Sequence, residues 1–262
     1  KRVIFLFLTG GMSQVDTFDP KPMLDKYDGR PLPYKTPLTE RATGNLMASP
    51  FSFKKCGQSG IEVAEIFPKL AGIIDNFCVI RSMHTDIPNH GPSMMMMNSG
   101  LSRQGRPALG SWITYGLGTE NQNLPGFVVF CAGGPPRSQT TLWNSAFLPA
   151  AHQGTFISNK ESEAGKQIQY LRNGGLSMAE QREQLDLFGK LNRLRQQQRQ
   201  QPAPEMEAAI QSMEIAYRMQ TEAPDVFDLS SESQATLERY GEGDFARGCL
   251  MARRLIERGV RV

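Results

Sequence analysis

The chain has 262 residues, of which 39% are hydrophobic and 21% charged, and a formal net charge of +3. That length and apolar content are enough for one large domain or two small ones with a sizeable core. The small, dispersed positive charge excludes a phosphate-tracking nucleic-acid surface, and no run reaches the roughly 18 apolar residues that a membrane-spanning helix needs.

The first element predicted is RVIFLFLTGG, Arg2 to Gly11, a continuous apolar run closed by two glycines. It reads as a strand buried on both faces, with the glycines turning the chain at its C-terminal end, where open α/β sheets place their ligand sites. Asp16 and Asp19 follow, and Pro20, Pro22, Pro31 and Pro33 then impose an irregular loop. Residues 59–77 read as an amphipathic helix through Ile61, Ala64, Ile66, Leu70, Ile73 and Ile74, with Pro68 either kinking it or marking its start. Phe77–Met83 is a second predicted buried strand, completing a βαβ unit. GPSMMMMNSG reads as a further helix, with Gly91 or Pro92 at its entry and the methionines as core packing. Leu124–Gly134 is a third strand, again closed by Gly-Gly.

From Leu176 the pattern becomes helical. Ser177 and Glu180 form a candidate capping box for a helix running toward Gln201, and Pro204 opens a second helix across a Gln/Arg-rich turn. The two make a helical hairpin, an insertion or cap over residues 176–240. Further helices are expected within 229–243 and 245–259, and the last residues read as the opening of a strand. The fold class expected is therefore α/β, a mostly parallel sheet flanked by helices, with residues 1–262 the N-terminal part of one domain. Both ends are abrupt, so the chain reads as a fragment, its leader cut away or left out and its C-terminus truncated.

Four cysteines, Cys56, Cys78, Cys131 and Cys249, lack C-x-x-C spacing, which excludes zinc-ribbon and thioredoxin motifs. Cys78 and Cys131 lie inside apolar runs and read as buried thiols. G-x-S-x-G, Walker A and G-x-G-x-x-G motifs are also missing.

The chemistry concentrates in HTDIPNHGPS, His84 to Ser93, which holds two of the three histidines. If the strands are parallel, His84 and Asp86 share a sheet edge with Asp16 and Asp19. His90 would then stand at a helix N-terminus, where backbone N–H groups and the helix dipole favour an anion. Asp16, His84, Asp86 and His90 are candidate ligands of a divalent metal, and His90 and Ser93 are candidate catalytic residues. The plainer alternatives are a hydrogen-bonded loop for His84 and Asp86, turn formation for the two aspartates, and helix capping for Ser93.

FLFLTGGMSQVDTFDPKP, KYDGRPLP, CVIRSMHTDIPNH, NQNLPGFVVFCAGGPP and CLMARRLIERGVRV resemble a bacterial family of planctomycete type, domain of unknown function 1501. The likeness runs the length of the chain. It implies a sulfatase-like member of the alkaline phosphatase superfamily, exported or periplasmic, hydrolysing sulfate or phosphate esters with Zn, Ca or Mn. The implied substrate is a small molecule or a carbohydrate ester. Superfamily sulfatases carry a C-x-P-S-R nucleophile segment. HGPS matches it at Pro92 and Ser93, but His90 replaces the cysteine and Met94 the arginine, so a formylglycine is not implied. The usual first metal-binding Asp is replaced by Thr9-Gly10-Gly11, leaving Asp16 as the nearest substitute, and the remaining ligands implied would lie beyond Val262. Two other readings stay open: a catalytically inactive surface binding or scaffold module, and an intracellular partner-binding protein using residues 176–258.

Overall fold

A computed structural model describes residues 1–8, 10–34, 43–87, 89–135, 139–158, 175–199 and 204–262. The expected Thr9 turn position and the turn at 200–203 lie outside them. The chain divides into two compact units, Phe7–His90 and Lys1–Leu6 with Gly91–Val262.

In the first unit, Phe18 stacks on Phe67 at 5.7 Å, and Val63, Ala64 and Ile74 are buried. Its regular elements are the short helix α1 (Pro22–Lys26), a hairpin of β1 (Phe53–Cys56) and β2 (Ile61–Ala64), and α2 (Pro68–Ala71). The strands pair antiparallel in the register Phe53 to Ala64. The hairpin turn is held from outside, because the Asp75 carboxylate accepts the N–H groups of Gln58 at 2.9 Å and Ser59 at 2.8 Å. Gly57 sits there with φ +62°, and a Cβ on it would collide with that carboxylate. Pro68 therefore marks a helix start, and the helix expected over 59–77 is a strand, a turn, one short α-helix and a 3₁₀ turn at Ile74–Asn76.

The second unit is helical. Its helices are α3 (His90–Ser99, whose first residue belongs to the other unit), α4 (Leu109–Leu117), α5 (Met178–Arg199), α6 (Pro204–Phe227), α7 (Gln234–Tyr240) and α8 (Asp244–Glu257). Helix α4 was not anticipated in the sequence. The capping box of α5 forms as read: the Ser177 hydroxyl accepts from the Glu180 N–H, and Glu180 accepts from the Ser177 N–H at 2.7 Å. Helices α5 and α6 run antiparallel, tied by Gln181–Gln220, Arg182–Glu214 and Asn192–Glu207. A core of Leu124, Ile157, Met219, Ala223, Val226, Phe227, Met251, Leu255 and Val260 joins α6, α8 and the chain end.

Arg254 of α8 closes the C-terminus of α6. Its Nε and Nη2 donate to the carbonyls of Val226 and Asp225 at 2.8 and 2.7 Å, and its Nη1 pairs with Glu232 at 2.6 Å. These are the orphan acceptors that every helix end leaves.

The expected mostly parallel, alkaline-phosphatase-like sheet is not what the chain forms. Among the described residues there are two sheets of two strands each, β1–β2 and the two-residue pair β3 (Val128–Val129) with β4 (Thr155–Phe156). Only this second pair is parallel. The runs at 2–8 and 77–83 carry no regular strand and leave Leu6, Ile80 and Met83 more than half exposed. A continuous apolar run specifies a buried strand only where partner strands cover both its edges and both its faces. What remains of the expected order is local. The Val3 N–H donates to the Arg261 carbonyl, and the Val128 N–H to the Val262 carbonyl, both at 2.9 Å. The thiols are likewise less buried than expected: Cys78 is exposed, and Cys131 is half-buried, with burial pushing its thiol pKa up.

Candidate functional site

The site is built on the Phe7–His90 unit, where the glycine turn, the loop at 13–19 and the segment 77–87 carry the candidate side chains. Gly10 and Gly11 both have positive φ, +86° and +71°, and the Gly11 N–H closes the turn on the Leu8 carbonyl at 2.9 Å. Consecutive left-handed residues suit glycine and strain any other residue. The His90 ring lies against this turn: its Cε1 is 3.8 Å from the position a Cβ on Gly10 would take. His90 is exposed and is the first residue of α3, one position ahead of the Gly91 or Pro92 entry expected.

The loop at 13–19 is well tied. The buried Thr17 hydroxyl donates to the Ser13 carbonyl at 2.9 Å, and the Thr17 carbonyl accepts the Ala64 N–H at 2.9 Å, fixing the loop on β2. Asp16 is half-buried, and the Ser13 hydroxyl, then that of Ser49, hold its carboxyl below the usual range. It therefore stays ionised and acts locally as a turn group. Asp19 is buried and pairs with Lys21 at 2.5 Å and with Arg81 at 4.0 Å, while Arg81 also faces Glu62 at 3.8 Å. This link between the loop and the second apolar run was missed in the sequence. Its signal is an arginine inside an apolar run, three residues before His84.

His84 and Asp86 are exposed on irregular chain after that run. Ser93 is half-buried in the first turn of α3. The methionines Met94, Met95 and Met96 are half-buried and Met97 is exposed, so the run does not fill a core. Four consecutive residues point about 100° apart around a helix and cannot share one buried face. Among the described residues, no group of three or more His, Cys, Asp or Glu side chains is placed to hold a metal ion. Asp16, His84, Asp86 and His90 are thus not brought together as a ligand set among the described residues.

The structure does bring together an exposed imidazole and a glycine turn that lets backbone approach closely, and that imidazole is carried by the first residue of a ten-residue helix. Such a helix end favours an anion, and an imidazole beside it is positioned to act on one as base or nucleophile. Among the described residues, no helix is long and apolar enough to cross a membrane. No curated protein and no solved structure matches the chain. A family model described as "Protein of unknown function (DUF1501)" does match, over residues 1–262. With every residue inside that match, the chain belongs to the DUF1501 family.

Proposed function

We propose that the protein hydrolyses phosphate or sulfate esters, with His90 as the group that meets the ester. The observation that carries this reading is the exposed His90 ring, set against the Gly10–Gly11 turn at the start of α3. The likeness of HGPS to a sulfatase-like nucleophile segment supports it, with the nucleophilic atom supplied by an imidazole. The helix N-terminus orients the anionic ester. An unprotonated imidazole nitrogen attacks phosphorus or sulfur, and the bond to the ester oxygen breaks as the N–P or N–S bond forms. The alcohol leaves after taking a proton from water, and a second water releases phosphate or sulfate and restores the imidazole. A small-molecule or carbohydrate ester as substrate, and an exported or periplasmic location, belong to the same reading and rest on the family likeness.

The test is hydrolysis of p-nitrophenyl phosphate and p-nitrophenyl sulfate, with Zn²⁺, Ca²⁺ and Mn²⁺ each supplied. The expected result is turnover of at least one ester, lowered at least about 10³-fold in His90→Ala. Turnover unchanged in that variant, or no turnover of either ester, would sink the reading. One observation favours a second reading, an inactive binding or scaffold module: the cysteine and arginine of the nucleophile segment are replaced by His90 and Met94. Absence of turnover with every metal supplied would favour it.

A further inference from the structure

The stretch from Pro107 to Asn159 is almost free of charge. Apart from His152, its only ionisable Lys, Arg, Asp or Glu side chains are Glu120 and Arg137, in a chain whose residues are 21% charged. Within it, a row of rings faces outward. Helix α4 turns Gly110, Ser111 and Thr114 inward and leaves Trp112 and Tyr115 44% and 53% exposed. The loop after Asn144 adds Phe147, 68% exposed, and the half-buried His152. The rings meet edge to face: Phe147 to Trp112 at 5.7 Å, Trp112 to Tyr115 at 6.4 Å, and Tyr115 to His152 at 5.4 Å.

The row is fixed by the backbone beneath it. The Ala108 N–H, just ahead of α4, donates to the Asn144 carbonyl at 2.9 Å, and the Asn144 side chain accepts the Ala146 N–H. Ala146 has φ +47°, the one positive φ on a non-glycine residue among the described residues. That angle is strained for a residue with a Cβ, and here it precedes an outward Phe147 and a buried Leu148.

Charge, area and polarity together indicate what the row takes. Burial holds the His152 imidazole below its usual pKa, so near pH 7 the row has no charge to offer an anionic ligand. Three aromatic side chains of roughly 150–250 Å² each, exposed to these fractions, offer on the order of 300 Å². That is less than half of the ~800 Å² per partner of a standard interface, so the row by itself is too small to hold a second copy. Its edges are polar. Among the described residues, the Trp112 indole N–H, the Tyr115 hydroxyl and the His152 ring nitrogens make no hydrogen bond. A lipid chain laid over them would leave these groups unsatisfied. A neutral sugar meets all three conditions. Its C–H face lies on the electron-rich faces of the rings, its hydroxyls reach the polar edges, and it brings no charge.

We propose that the row of Phe147, Trp112, Tyr115 and His152 is a binding platform for a neutral oligosaccharide. The ester-hydrolysis reading is not needed for this. Calorimetric titration of the whole protein with cellohexaose, maltohexaose, xylohexaose and laminarihexaose tests it. At least one is expected to bind with Kd below ~1 mM, with the same Kd at ~0.05 M and ~0.5 M NaCl. Trp112→Ala and Tyr115→Ala should each weaken that binding at least about tenfold while the far-UV circular dichroism stays unchanged. Trp112→Phe, which keeps a ring face, should lose less. Phe147→Ala, at the most exposed ring, decides if either alanine variant loses its native circular dichroism. Absence of binding by all four sugars at ~1 mM overturns the proposal, as does binding undiminished in the Trp112→Ala, Tyr115→Ala double variant. A wild type that sediments as a dimer and a Trp112→Ala variant that sediments as a monomer would assign the row to a second copy, and would overturn it too.

Discussion

At the residue scale, two glycines of α4 behave oppositely, and the difference is steric. A Cβ on Gly110 would stand 2.6 Å from the Phe127 ring, which Gly154 also approaches. Gly116, in the same helix, is exposed, has ordinary backbone angles and meets nothing within 4 Å. Gly110→Ala should therefore destabilise by about 1–3 kcal/mol through overpacking, and Gly116→Ala should stabilise by about 0.5–1 kcal/mol through helix propensity. Urea denaturation of both variants checks the pair, and equal effects would contradict the close packing on Phe127. Nothing in the sequence separates the two glycines, because a ring from Phe127 decides between them. His90 was more legible, since a histidine just before Gly-Pro and an apolar run marks a helix entry. The pairing of Asp19 with Arg81 was hidden, because ion pairs between distant segments leave no spacing to read.

At the element scale, helix ends explain which features the sequence predicted well. The capping box at Ser177 and Glu180 and the Pro204 start of α6 are local rules, and both hold. The C-terminus of α6 is closed by Arg254 from another helix, which no local pattern signals. Arg254→Ala removes two carbonyl partners and leaves Glu232, only 10% exposed, with Arg253 alone. The expected loss is on the order of 2 kcal/mol, measured as a lower urea midpoint, with Arg254→Lys recovering only part because it cannot reach both carbonyls and the carboxylate. The same cluster gives a pH signature. Arg253, then Arg254, hold the Glu232 carboxyl below its usual range. A depressed carboxylate contributes stability that is fully present above its unfolded value, ~4.3, and is lost as pH falls through the lower folded value. Below pH ~4.3 the stability of wild type should thus drop more steeply than that of Glu232→Gln. Parallel acid limbs would mean that the ion pairs contribute nothing measurable.

At the scale of the whole molecule, the helical half was legible and the sheet was not. Residues 176–259 resolve into helices largely where the periodicity placed them, because one apolar face per helix is a local property. The runs at 2–8 and 77–83 have the composition of buried strands, but a strand's burial is a property of its neighbours, and the described chain supplies no ladder for either. The expected site suffered with the sheet: without a shared strand edge, His84 and Asp86 stay on exposed irregular chain and form no ligand group with Asp16 and His90. What survives is one imidazole at a helix start beside a glycine turn. The most direct test of the proposed chemistry is to look for the bond it requires. The protein is mixed with p-nitrophenyl phosphate, quenched at alkaline pH, digested, and searched by mass spectrometry for a phosphoryl group on the peptide containing His90. The account predicts an acid-labile, alkali-stable adduct of one phosphoryl group on His90, absent from His90→Ala. Turnover with no such adduct at any quench time, or an adduct on another residue that persists in His90→Ala, would contradict it.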